Sequence, residues 1–584
     1  MPEERIIPAI ESVAEFKIKI GGEEIPRTVE VLSVHVSKIV NRISFAKIVL
    51  QDGDPASGEF ENSSGDLFIP GNEIEITAGD PDNQTAVFTG IITKQSVSIR
   101  SNRSSHLIIE CKHKAIKTTI TRRSNCWHDE TDDSVIQKAL KASGLSSGDL
   151  DIESSTVTHP EMVQYNCTDW DFAVSRAEVA GKIVLTNDDK IVVKAPDFSA
   201  ATSVSLLFGA TIIELDAEMN SQLQYKAVKS KTWDMGAQAL TEQDATEPTL
   251  PDFGNLDGAT VADANEQEEF ILQHGGALAT DEIKMWANAQ LLKSRLAKIR
   301  GRVKFEGIAA INPGDMLELN GLGDRFTGTA FVSGVRQDYN LSEGWKTQAQ
   351  LGHTNDWFYK EPDVVAAKAG GLLPGTIGLH TGIVTDNDDK KGEYRVKVKI
   401  PFINETDDGV WARIAQADAG DGRGLFFRPE TNDEVLIGFL YDDPRQPVVL
   451  GMLNSSALPA SLTPSNDNDK KGYTSREKML MIFDDKKKEI VFETPGGNKI
   501  TISDDQKGIV LQDMNKNMIE MNDKGIKITS KSAIEISAST DLKLGAANLK
   551  AETKSSLELT ASSGVKLDGG SMLEIKGGTV KINC

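Results

Sequence analysis

The chain has 584 residues, too many for one hydrophobic core, and the usual domain sizes divide it into roughly three to five domains. A formal net charge of −23 and a pI near 4.9 argue against nonspecific binding to nucleic acid or anionic membrane, which needs clustered Lys and Arg. No apolar run reaches membrane-spanning length, and Cys111, Cys126, Cys167 and Cys584 do not read as a disulfide framework, so the expectation is a soluble chain made in the cytoplasm without a signal peptide.

Residues 1–115 read mostly as strands: FKIKIGGEEIP, TVEVLSVHVSK, FAKIVLQDGD, EIEITAGD, AVFTGIITKQSVSI and HLIIECKH alternate β-branched and polar residues between Gly, Asp and Pro turns. A barrel or sandwich follows from that pattern. In 116–232, DDSVIQKALKASG predicts a helix with Asp132 or Asp133 as cap and Gly144 as stop. CTDWDFAVSRAEVAG predicts another, capped by Thr168 and ended by Gly181, and KIVLTNDDKIVVKA reads as a hairpin. Between Trp233 and Lys284 there is no Lys or Arg but much Asp and Glu, which predicts an exposed acidic loop over 233–283. The long helix in TDEIKMWANAQLLKSRLAKIRG should turn Met285, Ala289, Leu292 and Leu296 to one face, and a second β unit fills 302–352.

Little here points to catalysis. Cys111-x-His113 and Cys126-x-His128 offer four zinc-type ligands, but their spacing matches no standard zinc knuckle, and no metal is expected. Gly321-x-Gly323 lies between strands and reads as a hairpin turn, not a phosphate cradle. No His-Glu-x-x-His or P-loop is present, no nucleophile elbow is expected, and the eight histidines are scattered.

Residues 361–373 read as a linker. Over 374–454 the strands IGLHTGIV, YRVKVKI, VWARIA, EVLIGFL and VVLGML suit a small closed barrel of the OB type. Its loops are crowded by Asp386, Asp388, Asp389, Asp407, Asp408, Asp442 and Asp443, so nucleic acid is not an expected partner. Within this region GRGLFFRPETNDEVLIGFLYDDPRQPVVLGMLNSS resembles the OB-fold signature of VgrG-type spike proteins, found in type VI secretion systems and phage-tail-like contractile injection machines. NPGDMLELNG and EGWKTQAQLG resemble the second hub barrel of that family, and QYNCTDWDFAVSRAEVAGKIV its helical insertion. The resemblance implies a mainly β homotrimer: a hub of β-barrel domains with a few helices, an OB-fold collar, and a C-terminal triple-stranded β-helix needle. On that template the chain divides into a first hub barrel (1–115), a helical and β insertion (116–232), the acidic loop (233–283), a second hub barrel (284–360), a linker (361–373), the collar (374–454), a neck (455–477) and a β-helical spike (478–584).

The closing residues carry apolar pairs separated by one residue, at a step of eight or sometimes seven: Ile526/Ile528, Ile534/Ile536, Leu542/Leu544, Leu557/Leu559, Val565/Leu567, Leu573/Ile575 and Val580/Ile582. Residues n and n+2 of a strand share a face, so each pair points to one side and the Lys, Glu, Thr and Ser between them point out. So short a strand cannot bury its pair alone. It can form one side of a three-sided coil, supplied by one chain over three repeats or by three chains over one repeat each. The spacing leaves both open; the resemblance favours three chains, with the pairs from Ile526 to Ile575 as the needle core. Val580, Ile582 and Cys584 would leave an apolar end with unpaired strand edges, which predicts docking of a separate PAAR-like tip protein. A looser version of the pairing begins near Lys478.

The functional expectation is structural, with no catalytic residue and no cofactor: a central spike that joins inner-tube and baseplate proteins to a membrane-piercing needle, carries the tip protein and effector cargo, and is delivered or released outside the cell. The rival readings are a trimeric β-helical tailspike enzyme, which needs an acidic or His-containing cleft, and a receptor-binding adhesin, which surface aromatics would favour. No Trp or Tyr follows Tyr473.

Overall fold

The computed structural model describes residues 15–101, 104–187 and 189–582, which fall into two compact units. One is built from residues up to 378 together with 439–446; the other comprises 379–438 and 447 onward.

The first unit is organised by a thirteen-stranded sheet. Its clearest alternation lies in Val31–Ile39, Phe45–Gln51 and Ser105–Lys112, where Ile48 faces Ile109, Leu50 faces Leu107 and Ala46 faces Cys111, all buried. These side chains pack with Phe68, Phe88, Ile74 and Ile76 in one core. A second core gathers Val204, Leu206, Val303, Phe305, Leu317, Leu319, Val332 and Ala349. The two β segments read from sequence as separate barrels share one ladder. The reason is strand Gly328–Asn340, thirteen residues long: its start pairs with Met316–Asn320, and Gly334 to Asn340 pair with Ser33 to Ile39. Strands Val204–Leu207 and Glu214–Met219, expected in the insertion, also join this sheet.

The expected helices form, one of them with the expected cap. Asp169–Val179 starts at Thr168, whose hydroxyl accepts a hydrogen bond from the Asp171 amide at 3.1 Å, and Gly181 past its end has φ 68°. The other expected helix, Asp132–Ala142, has Thr131 at its N-cap position, in place of Asp132 or Asp133, and without a side-chain cap hydrogen bond. Asp132 instead turns inward to a buried ion cluster.

The acidic stretch is not a bare loop. Ala239–Asp244 and Glu269–His274 flank Ala227–Asp234 in a three-stranded sheet, and helix Thr280–Leu296 covers it, burying Val228, Leu272, Ala287 and Leu291. Its acids are neutralised by cations from outside the stretch: Lys229 to Glu269 at 3.1 Å, Lys231 to Glu242 at 2.7 Å, and Arg295 to Glu247 at 2.6 Å. Composition inside the window could not reveal them. The same packing changes the expected helix face. Ile283, Ala287 and Leu291 are buried together with Ala289 and Leu296, while Met285 and Leu292 are only half-buried.

In the second unit His380–Asp386, Val396–Lys399, Val410–Ile414, Pro447–Met452 and Glu434–Phe439 close a five-stranded barrel around Val384, Val396, Val398, Ala412, Val435, Ile437 and Val449. These are the five strands read from the sequence. Gly409 holds φ 100°, and a Cβ there would stand 1.9 Å from the Val398 carbonyl oxygen. Gly409→Ala is expected to destabilise the barrel by more than about 1 kcal/mol, seen as a lower denaturation midpoint with an unchanged slope.

Candidate functional site

Residues 470–529 form an antiparallel meander of five-residue strands: Lys470–Thr474, Leu480–Asp484, Glu489–Glu493, Lys499–Ser503, Gly508–Gln512, Met518–Asn522 and Gly525–Thr529. Opposed residues of an antiparallel pair point to the same face. The register therefore lines up Met481, Phe492, Ile500, Leu511, Ile519 and Ile528 in one row, and Phe483, Ile490, Ile502, Ile509, Met521 and Ile526 in a second row on the same face. That face is open to solvent: Phe492, Ile500 and Ile502 in the middle of the sheet are 40%, 40% and 41% exposed. A continuous apolar surface of this kind marks an interaction site, not a finished exterior.

The meander corrects two expectations. It starts at Lys470, inside the expected neck, because Lys470–Thr474 has no apolar pair to betray it and joins through backbone pairing with Leu480–Asp484. It is also chain-local over 478–529, a folded-back sheet with hairpin turns, where a β-helix was expected. The turns use lysines in the left-handed region: Lys488, Lys507 and Lys516 have φ of 48°, 52° and 70°. Burial alone would raise the Asp513 carboxyl, but hydrogen bonds from the Asn517 side chain and the backbone amides of Asn517 and Asn515 hold it below its ordinary value. Left-handed backbone disfavours a Cβ, so Lys507→Gly is expected to stabilise the meander by up to about 1 kcal/mol, read as a raised midpoint of unfolding.

From Ser530 the chain runs on without strand pairing through residue 582. Asn517 anchors the junction, accepting from the Ser530 hydroxyl at 3.1 Å and the Lys531 amide at 2.9 Å, and Ala533 and Ile534 fold over the end of the apolar face beside a groove of about 780 Å³. The expected core residues Ile534, Ile536, Leu542, Leu544, Leu557, Leu559, Val565, Leu567, Leu573 and Ile575, and the tip residues Val580 and Ile582, are all between 50% and 79% exposed. Ile526 and Ile528 differ in lying on the last meander strand, continuous with its apolar face. Cys584 lies outside the described residues. One repeat escaped the sequence reading: Leu549 and Ala551 fill the double step between Leu544 and Leu557, hidden because alanine holds the second place.

The other motifs are dispersed. Cys111 sits in the first core, where burial pushes its thiol up to about 12, and His113 is lowered to about 4 by burial and caps a short helix by accepting from the Ala115 amide. Cys126 is exposed on strand Arg122–Thr131, with its sulfur 3.7 Å from Nε2 of His128. Among the described residues no group of three or more His, Cys, Asp or Glu is arranged to hold a metal ion. Gly321 and Gly323 turn between two strands, and Gly323 opens a single helical turn. Gly144-Leu145-Ser146-Ser147-Gly148 does spell the Gly-x-Ser-x-Gly pattern, against expectation. It follows a helix and not a strand, and the Ser146 hydroxyl donates to Asp149 at 2.7 Å, so it closes a turn and is no nucleophile elbow.

A closed OB-type barrel is followed by strands with one unburied apolar face, and family models match both regions. Residues 380–453 match the type VI secretion system/phage-baseplate injector OB domain, and residues 489–584 the phage baseplate V C-terminal trimerisation domain. Residues 10–340, more than half of the chain, match the Alg8 N-terminal domain, and the chain belongs to that family. It is similar to the type VI secretion system spike protein VgrG4b of Pseudomonas aeruginosa, at 34% identity over 94 residues, covering 15% of this chain. The match spans 12% of that relative's length. Among solved structures it is similar to a tail protein of Neisseria meningitidis MC58 (15% identity, TM-score 0.45, 60% of this chain and 99% of that one). An Escherichia coli type VI secretion component gives 13% identity and a TM-score of 0.38 over 75% of this chain and 100% of that one. No helix of the described residues is long and apolar enough to cross a membrane.

Proposed function

We infer that this chain is the non-enzymatic central spike and hub of a contractile injection machine and works as a homotrimer. The observation that carries the reading is the double row of apolar side chains on the meander, continued by exposed apolar pairs to Ile582. Three copies packed face to face would remove both from water at roughly 25 cal/mol per Å² of apolar area buried. The match to a trimerisation domain over 489–584 supports three as the number.

In this reading the first unit joins inner-tube and baseplate proteins, the OB barrel forms a collar, and the needle core runs from Ile526 to Ile575. Val580 and Ile582 are the docking residues for a PAAR-like tip protein in this reading, and effector cargo travels with the assembly out of the cell. Stiffness is the mechanism: no bond is broken, and the target membrane is met mechanically. Deleting the gene in the producing cell tests this. Contractile particles should vanish from electron micrographs of lysates and return on complementation; normal particles that have lost only a fibre or a polysaccharide-degrading activity would overturn the reading.

A further inference from the structure

The residue at the centre of each needle pair is always charged. Lys527, Glu535, Lys543, Lys550, Glu558, Lys566, Glu574 and Lys581 stand between the two apolar residues of successive repeats, Leu549/Ala551 included. Strand geometry puts each of them on the face opposite its pair, the outside of any rod that buries the pairs. Along the chain the sign changes at every step except Lys543 to Lys550. In the single chain Lys543, Lys550 and Glu574 pair only with local groups two residues away, Asp541, Glu552 and Lys576.

We propose that this alternating series is the code that sets the register between needle strands of three copies of this chain. The inference rests on the trimeric reading above. When a chain advances one side of a three-sided rod per repeat, three-fold symmetry lays repeat n of one copy beside repeat n+1 of the next. Six of the seven neighbouring pairs along each side are then Lys beside Glu. A one-chain coil gives a different outcome, because it stacks repeat n on n+3. Lys527 would meet Lys550, Glu535 would meet Glu558, and Lys543 would meet Lys566, leaving only Lys550 with Glu574 and Glu558 with Lys581 as opposite pairs. A slip of one copy by one repeat sets identical residues side by side. Opposite charges on adjacent strands are favourable and like charges unfavourable, so the sequence selects the intertwined, correctly aligned rod over both alternatives. The apolar pairs, nearly identical from repeat to repeat, cannot make that distinction.

Two variants of the full chain test the ladder. Glu535→Lys, Glu558→Lys and Glu574→Lys together make every rung cationic. Reversing the sign of all eight rungs restores alternation with each residue changed. At low salt the all-cationic chain should lose its trimer at a denaturation midpoint lower than that of the unaltered chain by at least about 5 °C, and molar salt should close most of the gap. The reversed chain should match the unaltered one. Equal midpoints for the all-cationic and unaltered chains at low salt, or a reversed chain as weak as the all-cationic one, would overturn the ladder while leaving the trimer intact. A monomeric unaltered chain would instead overturn the trimeric reading itself.

Discussion

A chain carrying Leu544→Asp is expected to fold its first unit and its OB barrel normally and yet fail to hold together as a stable trimer. In the single chain Leu544 is 69% exposed, so the substitution costs almost nothing there. In the proposed trimeric rod the same position would lie in the core, and three-fold symmetry would place three aspartates in one layer. Burying an unpaired carboxylate costs several kcal/mol even after relaxation, so the layer as a whole loses on the order of 10 kcal/mol. Leu544→Ala should cost less, about 2–5 kcal/mol per chain at full burial. Thr540→Asp, outside the paired positions, should leave the assembly unchanged. Thermal dissociation followed by light scattering separates the three. Equal behaviour of the Leu544→Asp and Thr540→Asp chains would remove Leu544 from the core.

The second large effect is expected in the first unit, at an ion cluster that joins three helices and one strand. His159 on strand Thr158–Thr168 lies 3.1 Å from Asp132 through Nε2 and 3.4 Å from Glu282 through Nδ1. Arg176 donates through Nε to the other oxygen of Asp132 at 2.8 Å and lies 3.3 Å from Glu282. Hydrogen bonds to Asp132 and then Glu282 raise His159 to about 9 against the opposing pull of burial. Burial would raise the two carboxyls, but His159 and Arg176 together hold both below their ordinary values. A base raised from 6.5 to about 9 contributes stability that is complete below pH 6.5 and lost as the pH climbs through 9. The carboxyls contribute above their unfolded values near 4 and lose that contribution on acidification. The cluster's own contribution is thus expected to be greatest between about pH 5 and 6.5 and to weaken on the order of 2–3 kcal/mol by pH 9–10. Asp132→Ala leaves His159 and Arg176 with one carboxylate between them and should cost about 3 kcal/mol near neutrality. A midpoint for the unaltered chain that stays flat from pH 6.5 to 10 would contradict the protonated cluster.

The parts of the fold that the sequence exposed are those set by local physics. The OB strands announced themselves by alternation broken at Gly and Asp, and helix Asp169–Val179 by Thr168 and Gly181. What stayed hidden depends on partners distant in the chain. The single sheet of the first unit follows from Gly334–Asn340 finding Ser33–Ile39 some 300 residues away. The order in the acidic stretch follows from Lys229, Lys231 and Arg295, all beyond its ends. Lys470–Thr474 is a strand through backbone pairing alone, and no periodicity of side chains could have found it. The repeats after Ser530 are the converse case: their period is plain in the sequence, and their apolar pairs stay exposed in the single chain.

The most direct test of the central claim is the solution mass of the full chain by light scattering, beside a chain ended at Asn454. The account predicts a trimer that resists denaturant, weakened or lost on truncation. A monodisperse monomer of the full chain would contradict it.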